Sequence, residues 1–547
     1  MEYQSDGSAQ ERLVIDLPCS EMLQTMHLTL GHSFLCLCEM TTSAAATSVD
    51  RISNLSDDLL LLILGFLPKA INVVETSILS IQWRHLWTIT PTLRFVARVG
   101  GAAANEIVAA VNSVLAQRDA IADKADVKDL EISFIFQPDY PRFFFGHSYQ
   151  AVNITQANIA AWLIFAERRV TKLISLELPI LMEYNSDGSV QEHLFIDFPC
   201  SERLQTMNLT LGHSILRIPD VSTDAFRSLT NILLSRFSLC DGDDLRLGHL
   251  LSSSCCLQLR RLQLKYIVGL TNLRLDAAIQ LEELSLYSLC YIKWIHIDAP
   301  SLRVLVAQNI SLHLADEAAR IYAPSLLALT CDHPYIRGGQ MVLEDAHIMK
   351  LCMFTHGLPG QDKNHAVAWF LQQYAGADHL NVERKMQFDK DIPELPNITD
   401  LRITVAMSTK DTHTVAASIA KLIAKCTKIA YLSIDMDKKA GDCFDLDCKC
   451  HQPKDWNNNM MSLEHLRIVE IHDFLSFNDQ IELVCLLLSD APALERMTVT
   501  LHESYDEVYL NDPCCSGRWT PFAREHRGSK FGVATKYEWT PLKRRCG

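Results

Sequence analysis

The sequence predicts an α/β chain in which a small three-helix module precedes a curved solenoid of short strands. Three observations predict it. A pattern of apolar residue, two others, apolar, one other, apolar recurs along most of the 547 residues. Segments with helically spaced apolar residues fall between some of its copies. One stretch, Asp50–Phe95, breaks the pattern with helical segments of its own. Apolar residues make up 48% and charged residues 21% of the chain, which suits a folded protein and not a disordered one. A chain this long buries a large core and needs no disulfide or metal staple.

The chain opens on a fragment that it later repeats. Glu2–Leu37 matches Glu183–Ile218 at a constant offset of 181, with 26 identities in 36 positions. In its second occurrence the fragment is one coil of the solenoid. In its first it has no neighbouring coil, and a single repeat does not bury its apolar face alone. Residues 1–40 are therefore expected to be an orphan fragment without a function of its own. Residues 41–49, rich in Ala, Thr and Ser, read as a linker.

Residues 50–95 form the helical module. Ser56, Asp57 and Asp58 make a cap-like acidic opening to a helix through Leu59, Leu60, Ile63 and Leu64. Pro68 ends it. A second helical stretch carries Val73, Val74 and Ile78, and a third carries Leu79, Trp83, Leu86 and Trp87. So small a module does not bury all its apolar surface alone. Trp83 and Trp87, at i and i+4, are expected to anchor an interface.

The recurring pattern follows as Val127-x-x-Leu130-x-Ile132, Leu173-x-x-Leu176-x-Leu178 and Leu204-x-x-Met207-x-Leu209. It continues at Leu259/Leu262/Leu264, Leu270/Leu273/Leu275 and Leu281/Leu284/Leu286, and again at Ile429/Leu432/Ile434, Leu463/Leu466/Ile468 and Leu494/Met497/Val499. Such recurrence is the signature of a leucine-rich-repeat solenoid, here expected over 102–440 with further coils over 459–501. Helices are expected around Ile107–Leu115, Ile159–Ala166 with Thr155 as cap, Val415–Ile423 and Ile481–Leu488. Leu262, Leu273 and Leu284 are too close for a strand, two turns and a long helix. This stretch is expected to use thin coils with strands or irregular segments on both sides. Ala299-Pro300-Ser301-Leu302 and Ala323-Pro324-Ser325-Leu326 mark a repeated turn.

Charge and motifs narrow the function. With 50 Lys and Arg against 65 Asp and Glu the net charge is −15. That argues against a nucleic-acid or acidic-membrane binder, since phosphate binding needs a basic surface. The longest apolar run, Leu59–Leu67, falls short of the roughly 18–20 residues that span a bilayer. No secretory signal opens the chain, so its 18 cysteines are expected to be reduced and inert in the cytoplasm or nucleus. Cys443, Cys448, Cys450 and His451 could reach one zinc ion, but Cys450 and His451 are adjacent instead of a spaced pair. A solvated Cys/Asp loop over 441–458 is expected, with no metal and no cofactor. No phosphate loop, His-Glu-x-x-His or Gly-x-Ser-x-Gly motif is present, and 502–547 reads as a tail.

Asp50–Phe95, with "DRISNLSDDLLLLILGFLP" and "TSILSIQWRHLW", resembles an F-box of the plant type joined to leucine-rich repeats and a C-terminal FBD region. "DCKCHQPKDW", "MSLEHLRIVEIHDF", "LLLSDAPALERMTV" and "KYEWTP" resemble the FBD region and its surroundings. The resemblance implies a non-catalytic receptor of a Skp–cullin–F-box ubiquitin ligase. The F-box would dock a Skp-type adaptor held by cullin and RING subunits, and the solenoid would hold a protein target of unknown identity. Carried over residue by residue, the adaptor contacts would be Leu55, Leu59, Leu60, Ile63, Leu64, Phe66, Leu67, Pro68, Trp83 and Trp87, some of them instead forming the module's own core. Ser56 stands where the family has proline, and Ile81 and Gln82 where it has basic residues. Adaptor binding is therefore expected to be weakened. A repeat scaffold that recruits no ligase is the alternative.

Overall fold

The computed structural model describes residues 55–66, 76, 81–98, 102–120, 126–134, 152–179, 193–220, 226–310, 319–331, 335–336, 339–355, 371–384, 392–405, 415–436, 463–474, 478–501, 517–526 and 533–541, with strands at 13–14, 25–30 and 33–38. The chain divides into two compact units, Met1–Ile154 with Ala161–Ser175, and Thr155–Ala160 with Leu176–Gly547.

The first unit begins with β1 (Leu13–Val14), β2 (Thr25–Leu30) and β3 (Ser33–Cys38), β1 parallel and β2 antiparallel to β3. The orphan fragment thus carries a small sheet of its own. Two helices follow, α1 (Asp57–Phe66) and α2 (Ile81–Ile89). The expected middle helix at Val73–Ile78 lies outside the described residues, Thr76 excepted. β4 (Thr92–Ala97), α3 (Ala102–Ala120) and β5 (Val127–Phe134) come next, with β4 parallel to β5 and Leu93, Phe95, Leu130 and Ile132 buried. Residues 92–95, read as the end of the helical module, are therefore part of a strand.

A buried arginine closes α2. Arg118, 1% exposed, donates to the carbonyls of Trp87 (3.1 Å), Thr90 (3.0 Å) and Thr88. It satisfies carbonyls that a helix end leaves open. Burial, with Arg169 nearby, lowers its pKa to about 10. α4 (Gln156–Arg169) starts on a reciprocal cap: Asn158 N–H donates to Thr155 Oγ1 (3.2 Å) and Thr155 N–H to Asn158 Oδ1 (3.0 Å). Trp162, buried, stacks on Phe134 and donates from Nε1 to Asn112 Oδ1 (2.7 Å).

After β6 (Val170–Glu177), the second unit carries β7 (Phe195–Asp197), β8 (Thr206–Arg217), β9 (Asn231–Leu239), α5 (Asp243–Leu251), β10 (Arg261–Val268), β11 (Asn272–Leu275), β12 (Glu283–Tyr287), β13 (Trp294–Asp298) and β14 (Val304–Gln308). It continues with β15 (Ala319–Tyr322), β16 (Ala328–Cys331), β17 (Tyr335–Ile336), β18 (Gly339–Glu344), β19 (Lys350–Thr355), β20 (His379–Arg384) and β21 (Asp400–Val405). α6 (Val415–Ile423), β22 (Tyr431–Met436), β23 (Ile468–Phe474), α7 (Asn478–Asp490), β24 (Arg496–Leu501), β25 (Gly517–His526) and β26 (Val533–Pro541) complete it.

One parallel ladder runs β8–β9–β10–β12–β14–β16–β19–β20–β21–β22–β23–β24. Met207, Ile232, Leu262, Leu284, Leu305, Leu329, Leu351, Leu380, Leu401, Leu432, Val469 and Met497 line up in register across it, all buried. Each coil buries its leucine row against the next, which is how a stack of repeats acquires a core that no repeat has alone. In the thin middle coils a second sheet, β11–β13–β15–β18, covers the other side. The two Ala-Pro-Ser-Leu segments make the same turn: Leu302 N–H donates to Ala299 O and Leu326 N–H to Ala323 O, both 3.1 Å.

Three expectations shift. The row on β23 is Val469 and Ile471, with Ile468 half-buried on the opposite face. The frame Leu463-x-x-Leu466-x-Ile468 is one coil-turn early, because Leu463 and Leu466 are buried in the turn before the strand. On β6, Ile174 and Leu176 point inward and Leu173 is half-buried. The C-terminal stretch is more than a tail: β26 pairs antiparallel with β24 and β25 with β26, and Trp539 is buried.

Non-glycine residues with positive φ recur at one place. Arg236 (φ 56), Tyr266 (54), Ser288 (53) and Asn309 (51) each follow one of the in-register residues Ser235, Lys265, Tyr287 and Gln308. At Ser288 and Asn309 the left-handed conformation ends the strand, while at Arg236 and Tyr266 it interrupts β9 and β10, which pair on beyond it. It costs roughly 1–2 kcal/mol for a residue with a Cβ. Gly212 (φ 56) has a second constraint: an added Cβ would stand 1.9 Å from the Pro179 carbonyl oxygen.

Candidate functional site

Two surfaces are open to partners. The first is the outer face of α1. Its first turn carries Asp57 and Asp58, which suit the positive end of a helix dipole, and Leu60 N–H donates to Ser56 O (3.0 Å). Leu60 and Leu64, one turn apart, are buried together with Trp83, Leu86 and Trp87. The other face leaves Leu59 37% and Leu62 52% exposed, with Leu55, Leu61 and Ile63 half-buried. Residues at i, i+3 and i+4 share one helix face, so Leu59, Leu62 and Ile63 make one apolar stripe.

This sorts the expected contacts. Leu55, Leu59 and Ile63 are accessible. Leu60, Leu64, Trp83 and Trp87 are not, and the tryptophan pair is a core feature instead of an open anchor. The reason is packing: a short pair of helices has few other large side chains with which to close its interior. Phe66 ends α1, while Leu67 and Pro68 lie outside the described residues. Leu62 was missed by sequence reasoning. In an unbroken run of leucines, nothing marks which ones turn inward.

The second surface is the open face of the ladder, where alternate strand residues stay half-buried. Toward its C-terminal end a polar chain crosses β20 to β23. His379 Nδ1 lies 2.6 Å from Asp378 and its Nε2 3.9 Å from Asp400. Asp400 accepts two bonds from Arg402 (3.2 Å each), and the Arg402 guanidinium lies 5.3 Å from the centre of the Tyr431 ring. Tyr431 donates to Glu470 (2.8 Å), with His472 3.9 Å beyond. Hydrogen bonding to Asp400 holds the Arg402 guanidinium above its usual pKa, while burial, with the Glu470 bond, raises the Tyr431 phenol. The arrangement suits recognition of another surface.

Metal chemistry finds no seat among the described residues, where no group of three or more His, Cys, Asp or Glu side chains converges. Cys443, Cys448, Cys450 and His451 lie outside the described residues. Among the described helices none is long and apolar enough to cross a membrane.

No family model matches the chain. Curated relatives do. An F-box/LRR-repeat protein of Arabidopsis thaliana is 52% identical over 48 residues, 9% of this chain and 19% of the relative. An FBD-associated F-box protein of the same plant is 51% identical over 49 residues, 9% of this chain and 12% of the relative. A second F-box/LRR-repeat protein of Arabidopsis thaliana is 27% identical over 261 residues, 47% of each chain. The chain therefore matches about half the length of one relative and much less of the others. Over these spans its sequence is similar to that of plant F-box proteins carrying leucine-rich repeats or FBD regions, in keeping with its α/β repeat architecture.

Proposed function

We propose that this protein is the substrate-receptor subunit of a Skp–cullin–F-box ubiquitin ligase. In this reading residues 50–95 are the F-box and dock a Skp-type adaptor through the open stripe Leu59, Leu62 and Ile63. Cullin and RING subunits are reached through that adaptor. The solenoid, with an FBD region as its last coils, holds the target. The chain supplies no catalytic group; it raises the effective concentration of target lysines near the conjugating enzyme. The carrying observation is the α1 stripe, an apolar face left open beside the buried Leu60, Leu64, Trp83, Leu86 and Trp87. The F-box relatives support the same reading.

The test is co-expression of the full chain with a Skp-type adaptor, beside a Leu59→Asp/Leu62→Asp variant. Both side chains are exposed, so the variant folds. Burying an unpaired charge in the interface costs roughly 2 kcal/mol or more, and the adaptor should be lost. A folded intact chain that retains no adaptor would overturn the proposal. The passive repeat-scaffold reading, motivated by Ser56, Ile81 and Gln82, would then replace it.

A further inference from the structure

The positive-φ residues of the middle coils bring a particular set of side chains together. The Arg236 guanidinium carbon lies 5.6 Å from the centre of the Tyr266 ring, and Tyr266 meets Tyr287 edge to face at 5.1 Å. Asn309 Nδ2 donates to Ser288 Oγ (2.5 Å). Tyr266 is 39% exposed and Val268, next but one on β10, is 59% exposed. Lys265 stands in register between Ser235 and Tyr287.

Two features coincide at this edge. Ser288 and Asn309 leave their strands at this position, whereas Arg236 and Tyr266 take the same left-handed conformation inside β9 and β10, which pair on through Phe237↔Ile267 and Ser238↔Val268. Asparagine adopts that conformation with little strain, arginine and tyrosine less favourably, and Arg236 and Tyr266 bring a cation and a ring to this edge. Residues held in sparsely populated backbone regions gather where function requires them. The charge is also unbalanced. Arg217 pairs with Asp197 (2.8 Å), Arg261 with Glu283 (3.1 Å) and Arg402 with Asp400 (3.2 Å). Among the described residues Arg236 and Lys265 have no carboxylate partner.

We infer that this edge binds an acidic peptide segment of the target, its carboxylates meeting Arg236 and Lys265 and an apolar side chain resting on Tyr266, Tyr287 and Val268. Aromatic and arginine side chains together are the usual anchors of protein interfaces, and cations without a carboxylate partner among the described residues select the sign of the partner. The inference rests on the reading that the solenoid holds the target, and it names that target's chemistry.

The experiment pans the purified full-length chain against a displayed library of short random peptides. A synthetic copy of the best peptide is then measured against the intact chain, an Arg236→Glu/Lys265→Glu variant and a Tyr266→Asn variant. Retained peptides should be enriched in Asp or Glu beside an apolar residue. Affinity should fall about tenfold in the charge-reversed variant and at about 1 M salt, where the screening length is near 3 Å. Tyr266→Asn should weaken binding without lowering the melting temperature, because asparagine tolerates φ 54. Peptides without acidic enrichment, a charge-reversed variant that binds equally well, or a Tyr266→Asn chain that binds as before or melts earlier would overturn the inference. Peptide retention does not require the adaptor. A chain that recruits the adaptor but selects no acidic peptide sinks this inference alone, and one that does the reverse sinks the receptor reading alone.

Discussion

Replacing Asp244 with alanine should loosen the coil built from α5 and β11. Asp244, 3% exposed, sits in the first turn of α5, whose N-cap Gly242 offers no side-chain bond. Its Oδ2 accepts from Thr271 Oγ1 (2.6 Å), Asn272 N–H (2.9 Å) and Asn272 Nδ2 (2.9 Å), and its Oδ1 from Leu245 N–H (2.9 Å). Asn272 Nδ2 also donates to Thr271 Oγ1 (2.9 Å), so the Thr271 hydroxyl and the Asn272 and Leu245 amides are the donors left stranded. One buried unsatisfied donor costs about 1–3 kcal/mol, and a bond to a charged acceptor about 1.5–3. Allowing for the overlap of these terms, the loss is about 3 kcal/mol. Hydrogen exchange read by mass spectrometry should show protection over 243–251 and 271–275 falling by about two orders of magnitude, because local opening follows that free energy.

A pH arm sharpens the same test. Burial alone would raise the Asp244 pKa, but the hydrogen bonds from Thr271, Asn272 and Leu245 outweigh it and hold the value below the usual 3.8. A carboxyl depressed in the folded state contributes stability that is present above its unfolded value and lost as pH falls through the folded one. The gap between intact chain and variant should therefore be constant near neutrality and close below about pH 4. Unchanged protection in the variant, or a gap that persists in strong acid, would refute the reasoning.

Two further outcomes follow from geometry. Gly212→Ala drives a Cβ to 1.9 Å from the Pro179 oxygen at φ 56, while Gly242→Ala meets nothing within 4 Å at φ 87. The first should cost about 3 kcal/mol or more and the second about 1 kcal/mol, which paired thermal melts would separate. Cys256, 2% exposed, is pushed up to about 12 by burial and by Cys255 beside it. It should resist alkylation at pH 8 in the folded chain and react only on unfolding; labelling of the native protein would contradict that environment.

Much of the ladder was legible beforehand because its code is local. A strand that buries one face must alternate, and stacked coils must repeat the alternation at the same place. Leu262, Leu284 and Val499 could be assigned on that basis, and so could the helices at Val415–Ile423 and around Trp162. The frame at Leu463–Ile468 failed because several apolar residues adjoin there, and alternation alone does not say which is the strand. The α1 stripe failed in part for the same cause: Leu59–Leu62 are four identical side chains, sorted only by what α2 places against them.

The repeated fragment shows the boundary most directly. Thr25–Leu30 and Ser33–Cys38 pair antiparallel as two strands, while the matching Thr206–Arg217 runs as one strand with Gly212 (φ 56) and His213 (φ 74) inside it. In the second copy β9 offers a parallel edge, and the chain keeps going past a register shift between Thr210 and Ser214. The sequence alone determined the composition of each coil, its apolar row and its turns, because those follow from backbone sterics and from the periods of helix and strand. Which tryptophans close a core, which leucines stay open, and where Arg236 and Lys265 stand without a carboxylate partner among the described residues were decided by the tertiary structure. Burial and pairing depend on neighbours distant in the chain.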